Sequence, residues 1–245
     1  TSTAIKTLRL ILNTLNNSKI SRSWSLIGPY GSGKSSFGIF LNALLQPSSS
    51  AQFKLAIDKI AEIDSDLSKA YFLKLKNSDG FLNVLITGSY EGLTKKLFTA
   101  LELVIKESCL ETKLKNKLLV FKKEKLDLTS SDDLIDFLKL LQTSITNSKK
   151  NIKGISLTID ELGKHVEYAG TNQIDGDIYV LQKIAEHCVS ESEVPIFFNV
   201  MLHQGIEFYA KELDSETKAE WRKIQGRFEE ISFIEGPEQS MRVIA

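Results

Sequence analysis

Two apolar rhythms run along the chain. In the first, apolar residues recur at steps of three and four, the spacing of one helix face. Ile5, Leu8, Leu12 and Leu15 follow it over 3–16. Phe53, Ile57, Ile60, Ile63, Leu67 and Phe72 follow it over 51–76, where one or two helices fit. Further helices are predicted at 36–45, 93–108, 177–190 and, in two pieces, 206–225. Ser130 to Asp133 is a capping pattern, a hydroxyl followed three residues on by a carboxylate, and opens a helix that runs to 146. In the second rhythm, short apolar runs stand between turn residues, at 23–27, 81–87, 154–161, 195–204 and 229–234. These read as strands. Pro47 to Ser50, Asn77 to Gly80, Leu162-Gly163, Gly170 to Asn172 and Asp175 to Asp177 read as turns and loops. Strands alternating with helices predict an α/β fold, a parallel sheet covered on both faces. Ligands of such sheets bind beyond the C-terminal strand ends.

Composition narrows this picture. The chain has 245 residues, 42% hydrophobic and 25% charged, an ordinary globular balance with length for a full core. One α/β domain over 1–245, with mainly helical insertions at about 48–80 and 110–150, fits better than two domains. Lys+Arg and Asp+Glu number 31 each, so no global field selects nucleic acid or an anionic membrane. Lys113, Lys115, Lys117, Lys122, Lys123 and Lys125 could form a nucleic-acid or partner face. Leu114, Leu118 and Phe121 place an apolar stripe beneath them, which favours a solvated helix surface. Cys109 and Cys188 have no metal-ligand spacing and form no disulfide framework, so a reducing, cytoplasmic setting is expected. Trp24 and Trp221 are expected to pack rather than to stack on a ligand. No apolar run nears the roughly 20 residues that span a bilayer, so no membrane contact is expected. The chain starts without Met and stops at Val243-Ile244-Ala245 in mid-pattern, as a fragment of a longer protein would.

Candidate chemistry begins at Gly28-Pro29-Tyr30-Gly31-Ser32-Gly33-Lys34-Ser35, which fits G-x-x-x-x-G-K-[ST] between a predicted strand and a predicted helix. Glycines let the backbone turn its N–H groups toward phosphate oxygens. Lys34 would meet the β- and γ-phosphates, and the Ser35 hydroxyl would ligate Mg²⁺. Ser36 completes the phosphate-binding segment. Asp160-Glu161 ends the third predicted strand. The chemistry calls for one carboxylate on the metal shell, assigned to Asp160, and one to orient and deprotonate water, assigned to Glu161. The bland alternatives are a glycine turn and an acidic strand end; the setting of the loop between strand and helix counts against both.

Loop, acid pair and the late strands at 195–204 and 229–234 resemble the additional-strand class of P-loop ATPases, and more narrowly an AAA+ module, over nearly the whole chain. The resemblance implies a three-layer P-loop NTPase with sheet order 5-1-4-3-2, ATP and Mg²⁺ as ligands, and work within a homo-oligomer. It implies a polar γ-phosphate sensor after the fourth strand. Gln204 fits best and His203 second, in place of the usual Asn or Thr; a satisfied core histidine is the alternative for His203. It also implies an arginine acting in trans on a neighbour's site. Arg227 stands at that place, with Arg222 as the other candidate and a surface ion pair to Glu229 or Glu230 as the bland explanation. The family's C-terminal helical lid would begin near Gly236-Pro237 and is mostly absent; Arg242 takes no role. Asp160-Glu161-Leu162-Gly163-Lys164 and Gly226-Arg227-Phe228 further resemble the ATPases of large bacterial anti-phage defence proteins. The function implied is ATP hydrolysis coupled to conformational change. The alternative is a slow nucleotide-dependent switch or scaffold in a signalling or defence assembly. A small-molecule kinase would share the loop, but an arginine-rich lid is not evident and the acid pair favours water as acceptor.

Overall fold

The computed structural model describes residues 2–16, 22–124, 130–172, 178–189, 192–209 and 215–233. Lys125, the predicted loop at Asp175 to Asp177, the lid start at Gly236-Pro237 and Arg242 lie outside them. The strands are β1 (Ser23–Ile27), β2 (Leu82–Thr87), β3 (Ile155–Asp160), β4 (Ile196–Leu202) and β5 (Glu229–Ser232). They form one sheet in the order β2-β3-β4-β1-β5, which is 5-1-4-3-2 counted from the other edge. Every pairing is parallel. A parallel strand covered on both faces carries a continuous apolar run rather than an alternating one. The central β4 obeys this, with all of its residues buried.

Helices cover both faces. Over one lie α1 (Ser2–Asn16), α2 (Lys34–Leu44), α3 (Ala51–Ala61) and α4 (Ser65–Leu75). Their core is built on Trp24, Leu26, Phe197 and Met201. Trp24 meets Phe197 edge-on at 5.6 Å, and Phe81 stacks on Phe197 at 5.3 Å. Over the other face lie α5 (Leu93–Glu107), α6 (Thr112–Glu124) and α7 (Ser131–Thr146), and, past α8 (Gly163–Thr171), α9 (Tyr179–Cys188). After the short α10 (Ile206–Tyr209), α11 (Ser215–Gln225) completes that layer. Phe98, Phe137, Leu157 and Phe198 lie within its core.

Local chemistry sets the helix ends. The Ser130 hydroxyl accepts from the Asp133 N–H at 3.2 Å, the bond that the capping pattern predicts. The stretch 51–76 divides because Asp64 caps a second helix, accepting from the Leu67 N–H at 3.0 Å. On α1 the buried face is Thr7, Leu8, Ile11 and Thr14, with Ile5, Leu12 and Leu15 half-buried beside it. The Thr14 hydroxyl is satisfied by the Ile11 carbonyl at 2.7 Å. On α6, Lys113, Lys117 and Lys123 are exposed while Leu118 is buried and Phe121 stacks on Phe137 at 5.9 Å. Among the described residues no helix is long and apolar enough to cross a membrane.

Two expectations fail. The chain does turn at Glu161-Leu162, but Gly163 and Gly170-Thr171, expected in the turn and in a loop, lie in helix α8, which ends at Asn172. Two glycines cost a helix roughly 1 kcal/mol each. The helix is nonetheless anchored by Leu162 and Val166, both fully buried, and by His165, whose Nδ1 lies 2.8 Å from the Glu91 carbonyl. The fourth strand stops at Leu202, so His203 and Gln204 stand just beyond it.

Candidate functional site

All five strands point the same way, so one rim of the sheet collects the chain leaving each of them. Residues 28–33 turn β1 into α2 on this rim. Gly31 and Gly33 have φ of 78° and 90°, the left-handed region that side chains avoid. A side chain at either would meet nothing within 4 Å, so the backbone and not crowding demands glycine there. The loop is tied to its neighbours by the Gly28 N–H donating to the Leu202 carbonyl at 3.2 Å and by the Phe233 N–H donating to the Ile27 carbonyl at 2.6 Å. Lys34 is buried and turned into its own loop: Nζ donates to the carbonyls of Gly28 at 2.6 Å and Pro29 at 2.9 Å, and to Ser32 Oγ at 3.2 Å. Burial pulls its ammonium below the ordinary lysine range, against the pull of the Asp160 carboxylate. Ser35 and Ser36 are exposed in the first turn of α2, at the positive end of its dipole. Pro29 and Tyr30 are exposed on the outside of the loop.

Asp160 is the last residue of β3, and Glu161 follows with φ 53°. A left-handed conformation costs a residue with a side chain roughly 1–2 kcal/mol. Several contacts hold it. Asp160 Oδ1 accepts from the Glu161 N–H at 2.9 Å, and the Gly88 N–H donates to the Asp160 carbonyl at 2.7 Å. Gly88 lies so close that a Cβ on it would stand 2.0 Å from the Glu161 carbonyl oxygen. The side chain of Glu161 pairs with Lys164, Oε2 to Nζ at 2.5 Å.

The turn after β4 completes the cluster. His203 is stacked under Tyr30 of the loop, ring centroids 3.5 Å apart. Both of its ring nitrogens are buried without a hydrogen-bond partner. Burial, then the Lys34 charge, lowers its pKa, while Glu161 and Asp160 push it up. Gln204 is exposed. A cavity of about 310 Å³ opens here between Tyr30, Tyr90, Glu161, Lys164, Glu167, His203, Gln204 and Tyr209. The Tyr90 hydroxyl donates to Glu167 Oε2 at 3.0 Å. Tyr209 is raised by burial, against hydrogen bonds from the backbone of His203 and Gln204. On the other side of the loop, a cavity of about 380 Å³ runs from Ser32, Gly33 and Ser36 to Ile5, Leu8, Phe37, Phe40 and Phe233.

Lys34, Asp160, Glu161, His203 and Gln204 therefore share one rim, and Arg227 does not. β5 pairs with β1 from Trp24↔Glu229 to Ile27↔Ser232. Arg227 precedes β5 and so lies at the opposite rim, about 17 Å away along the strands. There its Nη2 pairs with Glu186 Oε1 at 3.0 Å, not with Glu229 or Glu230; both partners are about half exposed. Arg222 is exposed on α11, also away from the loop. His203 is not a satisfied core histidine, since neither nitrogen is bonded. His187, next to Cys188, instead meets Gln142 Oε1 at 2.8 Å.

Comparison with models of known protein families gave no match, and comparison with curated proteins gave none at a significant level. Sequence reasoning missed Lys164, Tyr90, Glu167 and Tyr209. Lys164 carried no signal: Glu161 stands before the N-cap of α8 with a left-handed backbone, so no helix-face spacing relates the two. The tyrosines are brought in by tertiary packing and carried none.

Proposed function

We propose that this chain is an ATP-hydrolysing module of the AAA+ type. The observation that carries the proposal is the joint placement of the 28–35 loop and the Asp160-Glu161 pair on one strand rim. The left-handed Gly31 and Gly33 support a phosphate cradle ahead of α2. The apolar cavity beside Ser36 is of a size and lining that suit a nucleobase. Among the described residues no three His, Cys, Asp or Glu side chains form a metal site by themselves. The Ser35 hydroxyl and Asp160 Oδ2 make no hydrogen bond to another of those residues, and Asp160 meets Lys34 through charge alone. This suits Mg²⁺ held by these two groups together with phosphate oxygens and water. When bound, the cation neutralises charge on the β- and γ-phosphate oxygens.

The remaining chemistry belongs to side chains of this chain. Lys34 leaves the Gly28 and Pro29 carbonyls to meet the phosphates. Glu161 orients a water and takes its proton as the water oxygen bonds to the γ-phosphorus. The bond to the bridging oxygen breaks, and ADP departs with its electrons. His203, neutral at pH 7, or the Gln204 amide hydrogen-bonds the γ-phosphate or the water without adding charge. Arg227 cannot serve its own loop from the opposite rim, so its catalytic place is in a second copy. The two cysteines, free at Cys109 and Cys188, suit a reducing cytoplasmic setting.

ATP turnover by the full chain, with Lys34→Ala and Glu161→Gln beside it, tests the proposal. Turnover in wild type with loss in both variants is expected; equal rates in all three would refute it. A slow nucleotide-dependent switch, as in a defence or signalling assembly, is the second reading. It is favoured by one observation: Lys34 and Glu161 are both engaged by other parts of the chain. Single-turnover hydrolysis compared with the lifetime of the assembly separates the two.

A further inference from the structure

Glu161 has little freedom in its backbone. Its N–H is bound by Asp160 Oδ1, and its carbonyl lies against Gly88. Only the side chain can move, and one of its two oxygens is in contact with Lys164 Nζ at 2.5 Å. Lys164 stands three residues on, across the left-handed turn and in the first turn of α8, which is anchored through Leu162, His165 and Val166. Among the described residues that line the 310 Å³ cavity, it is the one lysine or arginine. Resting on the ATPase reading above, we propose that Lys164 is a positioning residue that restrains Glu161, holding its carboxylate in an ion pair that it must leave to reach the attacking water.

The direction of the effect follows from where the pairing is strong. An ammonium stabilises the carboxylate before proton transfer and gains nothing from the neutral acid after it. An interaction stronger in the ground state than in the transition state slows the chemical step. The pair is partly open to solvent, with the lysine and glutamate side chains 41% and 29% exposed. Its restraint is therefore modest and is weakened by salt. The Lys164 ammonium itself is held above its ordinary range, first by the Glu161 hydrogen bond, so the pair persists at neutral pH.

The test uses the full chain as wild type, Lys164→Met and Lys164→Arg, with nucleotide binding followed by a fluorescent ATP analogue and turnover measured between 0.05 and 0.5 M salt (roughly a threefold change in screening length). The expected result is unchanged binding and KM, with kcat raised roughly two- to fivefold in Lys164→Met, the range of a partly exposed ion pair. Lys164→Arg should keep the wild-type rate. Rising salt should lift the wild-type kcat toward that of Lys164→Met and leave the methionine variant flat, a response that a merely structural lysine would not give. Nucleotide binding with Lys164→Met no faster than wild type, or with no turnover in either, overturns the restraint while leaving the nucleotide site standing. Failure of the wild type to bind nucleotide refutes the ATPase reading itself, and the restraint with it.

Discussion

The left-handed Glu161 makes a prediction that can be worked out from the backbone alone. At an ordinary position, replacing alanine by glycine destabilises a protein by about 0.4–1 kcal/mol, because the unfolded glycine chain has more freedom to lose. At φ 53° the balance reverses. Alanine there must bear the left-handed penalty of roughly 1–2 kcal/mol, which glycine escapes. Glu161→Gly and Glu161→Ala both lose the carboxylate and its Lys164 pair, so those losses cancel between them. What remains is an advantage for glycine of about 0.8 kcal/mol, the left-handed penalty less the entropic term. For a domain of this size that is a Tm higher by about 2–3 °C. Urea and thermal unfolding of the two variants side by side measures it. An alanine variant as stable as the glycine variant, or more so, would refute the left-handed turn and with it the path by which α8 leaves β3. Neither variant should hydrolyse ATP, so the glycine variant would gain stability over its twin without regaining activity.

Three further outcomes are expected. Gly88→Ala drives a Cβ into the Glu161 carbonyl and should cost about 1–3 kcal/mol in urea unfolding, as overpacking does; an unchanged midpoint would show that the β2 and β3 ends are not in contact. Ser130→Ala removes the cap of α7 and should cost about 1 kcal/mol, whereas Ser130→Asp should hold wild-type stability in the same assay. His165, His187 and His203 are all lowered, with burial the foremost cause. The unfolded chain takes protons near pH 6.5 while the folded chain resists them, so stability is full above about 6.5 and falls as pH drops toward the folded values; a Tm that does not change from pH 7.5 to 5 would contradict this.

What could be read from the sequence divides along physical lines. Strand cores were legible because a buried parallel strand leaves an uninterrupted apolar run, as in 196–202, and each β-strand falls within a predicted run. The Ser130 cap was legible because its bond spans three residues. The loop at 28–35 and the acid pair could be placed on one rim, since strand direction alone decides which ends share it. Helix α8 was hidden by Gly163 and Gly170, whose local preference is outweighed by the burial of Leu162 and Val166. The partners of the candidate residues were hidden for another reason. Tyr30 over His203 spans loops that follow different strands, and Arg227 with Glu186 joins the approach to β5 to α9. No spacing rule reaches across such distances.

If Arg227 acts on a second copy, as proposed above, the rim that it occupies limits how the copies can be arranged. If one copy's arginine serves another's phosphate loop, the start of one sheet must face the end of the other. A side-by-side stack with all strands level never brings the two together. An antiparallel pair about a two-fold axis does so twice, and a head-to-tail series does so once per contact, closing as a ring or continuing as a filament. In such a ring, the strands would run along the circumference rather than along the axis. The sheet direction, set by five parallel strands in one subunit, would thus become the direction in which the assembly is read.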